Sequence, residues 1–161
     1  MLAGLPRGEA VNRQQVGRAG EHFVAAELHR RGAYAVTFAG NMPDMDILAA
    51  DATQARTVFI QVKTKARGDW QTSTTRGARR RPHPDERRFW VFVDVAPDAP
   101  AYYIVPEWWI QNDIYRSHKA WLDRQPHRQR PINPASTHSK VTKARIAKWQ
   151  DRWELLGLFG E

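Results

Sequence analysis

Two segments decide the fold, MPDMDILAA at residues 42–50 and TVFIQVKT at residues 57–64. The second segment alternates in polarity, as a strand with one buried face does. One of its sides carries Val58, Ile60 and Val62, and the other carries Phe59, Gln61 and Lys63. The polar residues 51–56 are few enough to connect the two segments as a hairpin. The sequence therefore predicts two antiparallel strands, over residues 45–50 and 57–64.

A helix is predicted before these strands, over residues 16–28. One stripe of this helix carries Gly17, Glu21, Val24 and Leu28. A carboxylate on such a stripe is costly to bury unless it meets a cation or a hydrogen-bond donor, so Glu21 is a candidate site residue. Gly17 and Gly20 would permit close approach to the sheet, and Gly32 is expected to end the helix.

Apolar periodicity predicts the remaining elements. They are a short strand at residues 34–38, paired strands at 89–95 and 102–105, a helix at 107–122 and an amphipathic helix near 141–156. Residues 66–88 have almost no apolar content and are predicted to be a mobile loop. Trp70 in that loop is available to stack on an unpaired base, whereas the core is expected to contain Trp108, Trp121, Trp149 and Trp153.

Composition limits the class of protein. The 161 residues suit one domain with one core, and the absence of cysteine excludes a disulfide framework and cysteine-ligated zinc. No run of eighteen apolar residues occurs, and the first residues lack the apolar stretch of a signal peptide. We therefore expect a cytoplasmic protein that has no membrane partner.

The net charge of +8 is concentrated in two segments. Residues 63–88 hold nine Lys or Arg against three acids, and residues 126–150 hold six and no acid. Clustered cations favour nucleic acid through counterion release, although a solvated basic surface is the alternative. DNA is the expected partner, and the candidate phosphate contacts are Lys65, Arg67, Arg76, Arg79, Arg80, Arg81, Arg128, Arg130, Lys140 and Lys143.

The two central strands also carry candidate chemistry. Asp46 opens the first strand, and Gln61 and Lys63 project from one face of the second, so antiparallel pairing brings the three together. Phosphodiester hydrolysis needs a hard cation held by oxygen ligands, which carboxylates and amides supply. Taken separately, each residue is equally well explained as a strand-edge carboxylate, an exposed strand face or a solvated helix residue.

Three motifs taken together resemble the PD-(D/E)xK nuclease superfamily. They are GRAGE at residues 17–21, PDMDI at 43–47 and QVK at 61–63, and the resemblance extends over residues 17–105. It implies an α/β fold, a single-domain restriction-endonuclease-like sandwich whose central mixed β-sheet is flanked by helices. It also implies catalytic roles for Glu21, Asp46, Gln61 and Lys63, with Lys63 as the catalytic lysine and Glu21, Asp46 and Gln61 as ligands of Mg²⁺ or Mn²⁺.

The chain departs from the family pattern at Gln61, because the family usually has an acid there and an amide oxygen attracts a cation less. Asp46 is preferred to Asp44 as the ligand because it directly precedes the apolar part of its strand, so Asp44 is expected to point elsewhere. The predicted organisation is a flexible segment at residues 1–15, a nuclease-like core at 16–125 with a basic loop at 66–88, and a basic linker with an amphipathic helix at 126–161.

The expected activity is metal-dependent endonucleolytic hydrolysis of DNA. A catalytically inactive nuclease-fold protein that binds or regulates DNA is the alternative, and a protein-interaction module such as an immunity factor is a third. A homodimer, which cleavage of both strands could require, is left open.

Overall fold

The computed structural model describes residues 11–40, 42–124, 133 and 135–160. Within these residues, the strands are β1 (Tyr34–Thr37), β2 (Ile47–Ala50), β3 (Thr57–Lys65), β4 (Trp70–Ser73), β5 (Arg88–Asp94), β6 (Ala101–Pro106) and β7 (His138–Val141). The helices are α1 (Arg13–Arg30), α2 (Glu107–Asp123) and α3 (Lys143–Ile146). None of the described helices combines the length and apolar content that crossing a membrane requires.

Five strands form the central sheet, in the order β1-β2-β3-β5-β6. Strands β3 and β5 run parallel, and the other neighbours are antiparallel. The β2–β3 register pairs Ile47 with Ile60, which confirms the predicted hairpin. The β5–β6 pair is also antiparallel, as predicted. The sheet is therefore mixed, and the predicted α/β class is confirmed.

A hydrophobic cluster lies on each face of the sheet. On one face, the α1 residues Val24 and Leu28 belong to the same buried cluster as Ile60 of β3. On the other face, Trp90 and Phe92 of β5 share a buried cluster with Ile110 and Ile114 of α2. Because strand side chains alternate, β3 turns Gln61 and Lys63 towards the α2 side while it buries its valines and isoleucine against α1.

Helix α1 begins earlier than predicted because its first turn is capped. The Asn12 side chain accepts a hydrogen bond from the Gln15 N–H at 2.9 Å, and the Gln15 side chain accepts one from the Asn12 N–H at 3.0 Å. The prediction of a flexible segment at residues 1–15 is therefore wrong for residues 12–15, and residues 1–10 lie outside the described part of the chain. At the other end, Gly32 has φ +92°, which suits the predicted stop.

The prediction that residues 66–88 form one mobile loop is wrong. Strand β4 lies within this range and pairs with β7 to make a second, two-stranded sheet. Trp70 of β4 is 1% exposed, and its indole N–H donates to the Val93 carbonyl at 2.9 Å, so it is a core residue and not a platform for a base. The apolar periodicity missed β4 because its partner is distant in sequence and each strand buries only one large side chain.

The predicted C-terminal helix is also wrong. Helix α3 spans four residues and is followed by 3₁₀ turns at Ala147–Trp149 and Trp153–Leu156. Ile146 belongs to the cluster on the α2 side, whereas Trp153 and Leu156 belong to the cluster on the α1 side. A straight helix can face only one of these clusters, so the chain breaks and passes around the β6 edge, where Gln150 bridges to Tyr103.

The tryptophans are distributed differently from the prediction. Trp70, Trp90 and Trp153 are buried, whereas Trp108, Trp121 and Trp149 are only partly buried. The expected core role is therefore confirmed for Trp153 alone among the four predicted tryptophans.

Gly20 sets the separation between α1 and the sheet. An added Cβ there would lie 1.8 Å from the Thr64 Oγ1, whereas one at Gly17 would meet nothing within 4 Å. The predicted close approach therefore occurs at Gly20 and does not occur at Gly17.

We predict that Gly20→Ala lowers the free energy of unfolding by about 1–3 kcal/mol, because the helix must move away from β3. The matched control Gly17→Ala should be neutral or stabilising by up to about 1 kcal/mol, since alanine is the better helix former. Urea denaturation of both variants measures the two effects. Equal stability changes at the two positions would contradict the close contact.

Candidate active site

Asp46 lies where strand β2 begins. Its backbone N–H donates to the Ile60 carbonyl at 2.9 Å, and its Oδ2 accepts a hydrogen bond from the Val62 N–H at 2.7 Å. The register of the pair, continued by one residue from Ile47 and Ile60, sets Asp46 opposite Gln61. The last hydrogen bond from a backbone N–H of β3 to this neighbour is therefore accepted by a side-chain oxygen of Asp46, where a regular strand pair would use a backbone carbonyl.

Two oxygens at this position are left without a protein partner. Within the part of the chain that the structure describes, the Asp46 Oδ1 and the Gln61 side-chain amide make no hydrogen bond. Both belong to half-buried residues on neighbouring strands. Carboxylate and amide oxygens are ligands that a hard divalent cation prefers, so these two groups suit Mg²⁺ or Mn²⁺.

Lys63 follows on the same face of β3 as Gln61. Its Nζ lies 5.7 Å from the centre of the Trp90 ring, and Trp90 is the residue beside Gln61 in the parallel β3–β5 register. Burial lowers the pKa of Lys63, while the charge of Asp46 opposes that change. The structure therefore brings together three of the four predicted residues, Asp46, Gln61 and Lys63.

Asp44 and Arg76 also act on this lysine. The two residues form an ion pair, and the pKa of Lys63 is lowered by the Arg76 charge and raised by the Asp44 charge. Asp44 adopts φ +62°, and its carbonyl accepts a hydrogen bond from the Arg88 Nη2 at 3.4 Å. The charge of Asp44 thus reaches the site although its carboxylate pairs with Arg76, and the expectation that Asp44 points away from the other candidate ligands stays a prediction. The contact to Arg76 depends on the 3₁₀ turn Thr74–Arg76, which gave no sequence signal.

Glu21 lies at the same end of β3 but belongs to the other layer. Its neighbour Gly20 touches Thr64, which alternates with Lys63 and faces α1. The Glu21 Oε2 forms an ion pair with the Arg18 Nη1 at 2.8 Å, and the same guanidinium atom donates to the Phe38 carbonyl at 3.1 Å. Within the described residues, its charge partner is thus a protein cation. The predicted close approach of Glu21 to the other three residues stays a prediction.

A network of charged groups supports the floor of the site. The Trp90 indole N–H donates to the Glu107 Oε1 at 3.4 Å, and the Arg88 Nε donates to the Glu107 Oε2 at 3.1 Å. Trp90, Arg88 and Glu107 were not predicted as site residues. Only the parallel β3–β5 pairing sets Trp90 beside Gln61, and the apolar run of β5 does not reveal that pairing.

The described part of the chain holds no group of three His, Cys, Asp or Glu side chains suited to one metal ion. The candidate ligands here include one amide, and Glu21 and Asp44 each carry an arginine partner. Among these three carboxylates, Asp46 is the one that forms no ion pair within the described residues.

The predicted DNA-binding side chains differ in availability. Lys65 forms an ion pair with Asp94 at 2.8 Å and is only 12% exposed, whereas Arg67, Arg81 and Lys143 are exposed. The others have protein contacts, namely Arg76 with Asp44, Arg79 with the Tyr115 ring, Arg80 with Gln111 and Lys140 with Asp69. Arg128 and Arg130 lie outside the described residues.

No protein-family model and no curated protein match the chain. Its structure is similar to that of Hjc, a Holliday junction resolvase from Archaeoglobus fulgidus, with a TM-score of 0.51 and 17% identity over 90% of this chain and 98% of that one. It is also similar to I-Ssp6803I, a bacterial homing endonuclease, with a TM-score of 0.53 and 13% identity over 91% of this chain and 95% of that one. The chain has the restriction-endonuclease-like fold of the PD-(D/E)xK nucleases.

We predict that Lys63→Met is more stable than the wild type at pH 7, because it removes the cost of burying an ammonium group. The pKa of Lys63 in the folded protein lies below its ordinary value of 10.5. Between the folded and the unfolded pKa, the unfolded chain binds more protons than the folded one, so the free energy of unfolding of the wild type rises with pH in that interval. The stability gap should therefore narrow as the pH approaches 10.5.

Urea denaturation across this pH range measures the gap, with the exposed Lys143→Met as the matched control. A gap that is constant with pH, or equal for the two variants, would contradict the account of Lys63.

Proposed function

We propose that this protein is a divalent-metal-dependent DNA endonuclease that hydrolyses phosphodiester bonds with Mg²⁺ or Mn²⁺. One arrangement supports the proposal: the Asp46 carboxylate lies opposite Gln61, and the ammonium of Lys63 follows on the same face of β3. The nuclease fold supports it independently. A cytoplasmic location and a homodimeric active form belong to the same proposal.

Asp46, Gln61 and Glu21 are the proposed metal ligands. The Val62 N–H fixes the Asp46 carboxylate through Oδ2, which leaves Oδ1 available to a cation together with the Gln61 amide oxygen. Glu21 would ligate the ion through its Oε1, because its Oε2 pairs with Arg18. When bound, a divalent ion supplies polarisation of a phosphoryl oxygen and a water of lowered pKa.

Lys63 is the proposed catalytic cation. Burial weakens the hydration of its ammonium group, so a phosphate that approaches it gains more from the charge than it would in open solvent. The ammonium stabilises the negative charge that develops on the phosphate in the transition state. The charge of Asp46 favours the ammonium form and so opposes the effect of burial on the pKa of Lys63.

Exposed cations on the same chain are proposed to hold the DNA backbone. Arg67, Arg81 and Lys143 are exposed. Arg79 and Arg80 are exposed too, and they contact α2 at Tyr115 and Gln111. Contacts of this kind fix the position of the duplex and make its binding depend on salt, without reading sequence.

A catalytically inactive DNA-binding protein is the second candidate. It is favoured by the neutral Gln61 and by the arginine partners of Glu21 and Asp44, which reduce the negative charge available to a cation. Both candidates predict DNA binding, so only cleavage distinguishes them.

We predict that Asp46→Asn and Lys63→Ala each reduce Mg²⁺-dependent plasmid nicking by at least about a hundredfold, which is a typical loss for one group that stabilises a transition state. DNA affinity in the absence of metal should stay within about twofold of the wild type, because neither change removes an exposed cation.

The matched controls are Asp98→Asn, in the exposed β5–β6 turn, and Lys119→Ala, on the exposed side of α2. Both should nick plasmid at the wild-type rate. Wild-type nicking by either site variant would refute this catalytic site, and a wild-type chain that binds DNA without nicking it would support the inactive candidate.

A further inference from the structure

A cavity separate from the candidate active site lies between the β4–β7 sheet and the C-terminal half of α2. Its volume is about 590 Å³, within the range of sites that bind small ligands. None of its twelve described lining residues is acidic, whereas Arg124, Lys140 and Arg145 contribute cationic side chains. Its chemistry therefore suits an anion.

The cations of this cavity differ in how they are held. Asp113 and the Lys140 carbonyl fix the guanidinium of Arg145, which keeps it in one orientation. Lys140 is 66% exposed and pairs with Asp69 at 3.2 Å. Arg124 is exposed and forms no ion pair within the described residues. Hydroxyl groups on Thr74, Ser117, Ser136, Ser139 and Thr142 supply further hydrogen-bond donors for phosphate oxygens.

An aromatic platform forms part of the same wall. The rings of His118 and Trp121 are stacked, with centroids 5.8 Å apart and planes inclined by 18°. Both residues are only partly buried, and both line the cavity. Flat aromatic faces beside cations are the combination that binds unpaired nucleotides, because every base has a face to stack and a phosphate to neutralise.

The cavity is adjacent to the candidate active site along the chain. Thr74 lines it, and Arg76, two residues later in the same 3₁₀ turn, pairs with Asp44 and acts on Lys63. The cavity is lined by residues of α2, and β3 turns Lys63 towards the α2 side of the sheet. A strand held in the cavity would therefore lie on the face of the protein that carries Lys63.

We propose that this cavity binds one unpaired nucleotide of a DNA strand, with its phosphate on Arg124 and Arg145 and its base on Trp121. The proposal rests on the proposed nuclease function and specifies its substrate as DNA with a single-stranded segment. A cavity of this volume holds a nucleotide but cannot hold a duplex.

The test is fluorescence anisotropy of the full chain in chelator, with a labelled oligothymidine and a blunt duplex of equal length. Arg124→Glu and Trp121→Ala should each weaken single-strand affinity by at least about fivefold and duplex affinity by less than about twofold. The matched control Arg116→Glu reverses an exposed charge on the same helix outside the cavity and should not discriminate between the two DNAs.

Several outcomes would overturn the proposal: no single-strand binding by the wild type, no loss for Arg124→Glu, or equal losses for the two DNAs. Thymidine monophosphate serves as a competitor. If it binds with the same Kd as the oligonucleotide, the cavity is a site for free nucleotides and the proposal is overturned. If Trp121→Ala does not fold, Arg124→Glu still tests the proposal, because Arg124 is exposed. Binding in chelator needs no cleavage, so its result is independent of the nicking assay.

Discussion

The hydrogen bond from the Val62 N–H to the Asp46 Oδ2, at 2.7 Å, is the interaction on which the site depends. It ends the β2–β3 ladder with a side chain, so β3 continues to Lys65 without a β2 neighbour. Beyond that point β3 has β5 as its neighbour on one side only, and Gln61 and Lys63 face the α2 side of the sheet. The same bond fixes the orientation of the carboxylate, since only one of its oxygens takes part. A charged acceptor also makes this a stronger hydrogen bond than its backbone equivalent.

Positively and negatively charged side chains lie close together at this half-buried site. Burial of Lys63 disfavours its ammonium group, and Asp46 and Asp44 favour it, while Arg76 opposes them. Asp44 in turn neutralises Arg76, and Arg18 neutralises Glu21. The charges of the site are therefore balanced by protein cations. A divalent ion that recruited Glu21 as a second carboxylate would meet a group whose charge Arg18 already neutralises.

The sequence predicts the central sheet well because its signals are local. Alternation in β3, the polar connection after Ala50 and the glycine at position 32 each act within a few residues. Elements stabilised by distant partners were missed: β4 requires β7, and the C-terminal segment breaks because its apolar residues belong to clusters on opposite faces. Within the site, Asp46, Gln61 and Lys63 follow from strand pairing. The roles of Asp44 and Arg76 do not, since a left-handed residue and a 3₁₀ turn bring them together.

The central claim is that Gln61 and Asp46 direct oxygens to one cation. Calorimetric titration of Mg²⁺ and Mn²⁺ into the wild type and Gln61→Glu tests it most directly, with the exposed Gln150→Glu as the matched control. A carboxylate at position 61 should tighten metal binding by about tenfold or more, and metal should raise the melting temperature of that variant more than that of the wild type. Gln150→Glu should bind metal as the wild type does. If Gln61→Glu shows neither tighter binding nor a metal-dependent gain in melting temperature, Gln61 does not face a cation and the assignment of the site is wrong.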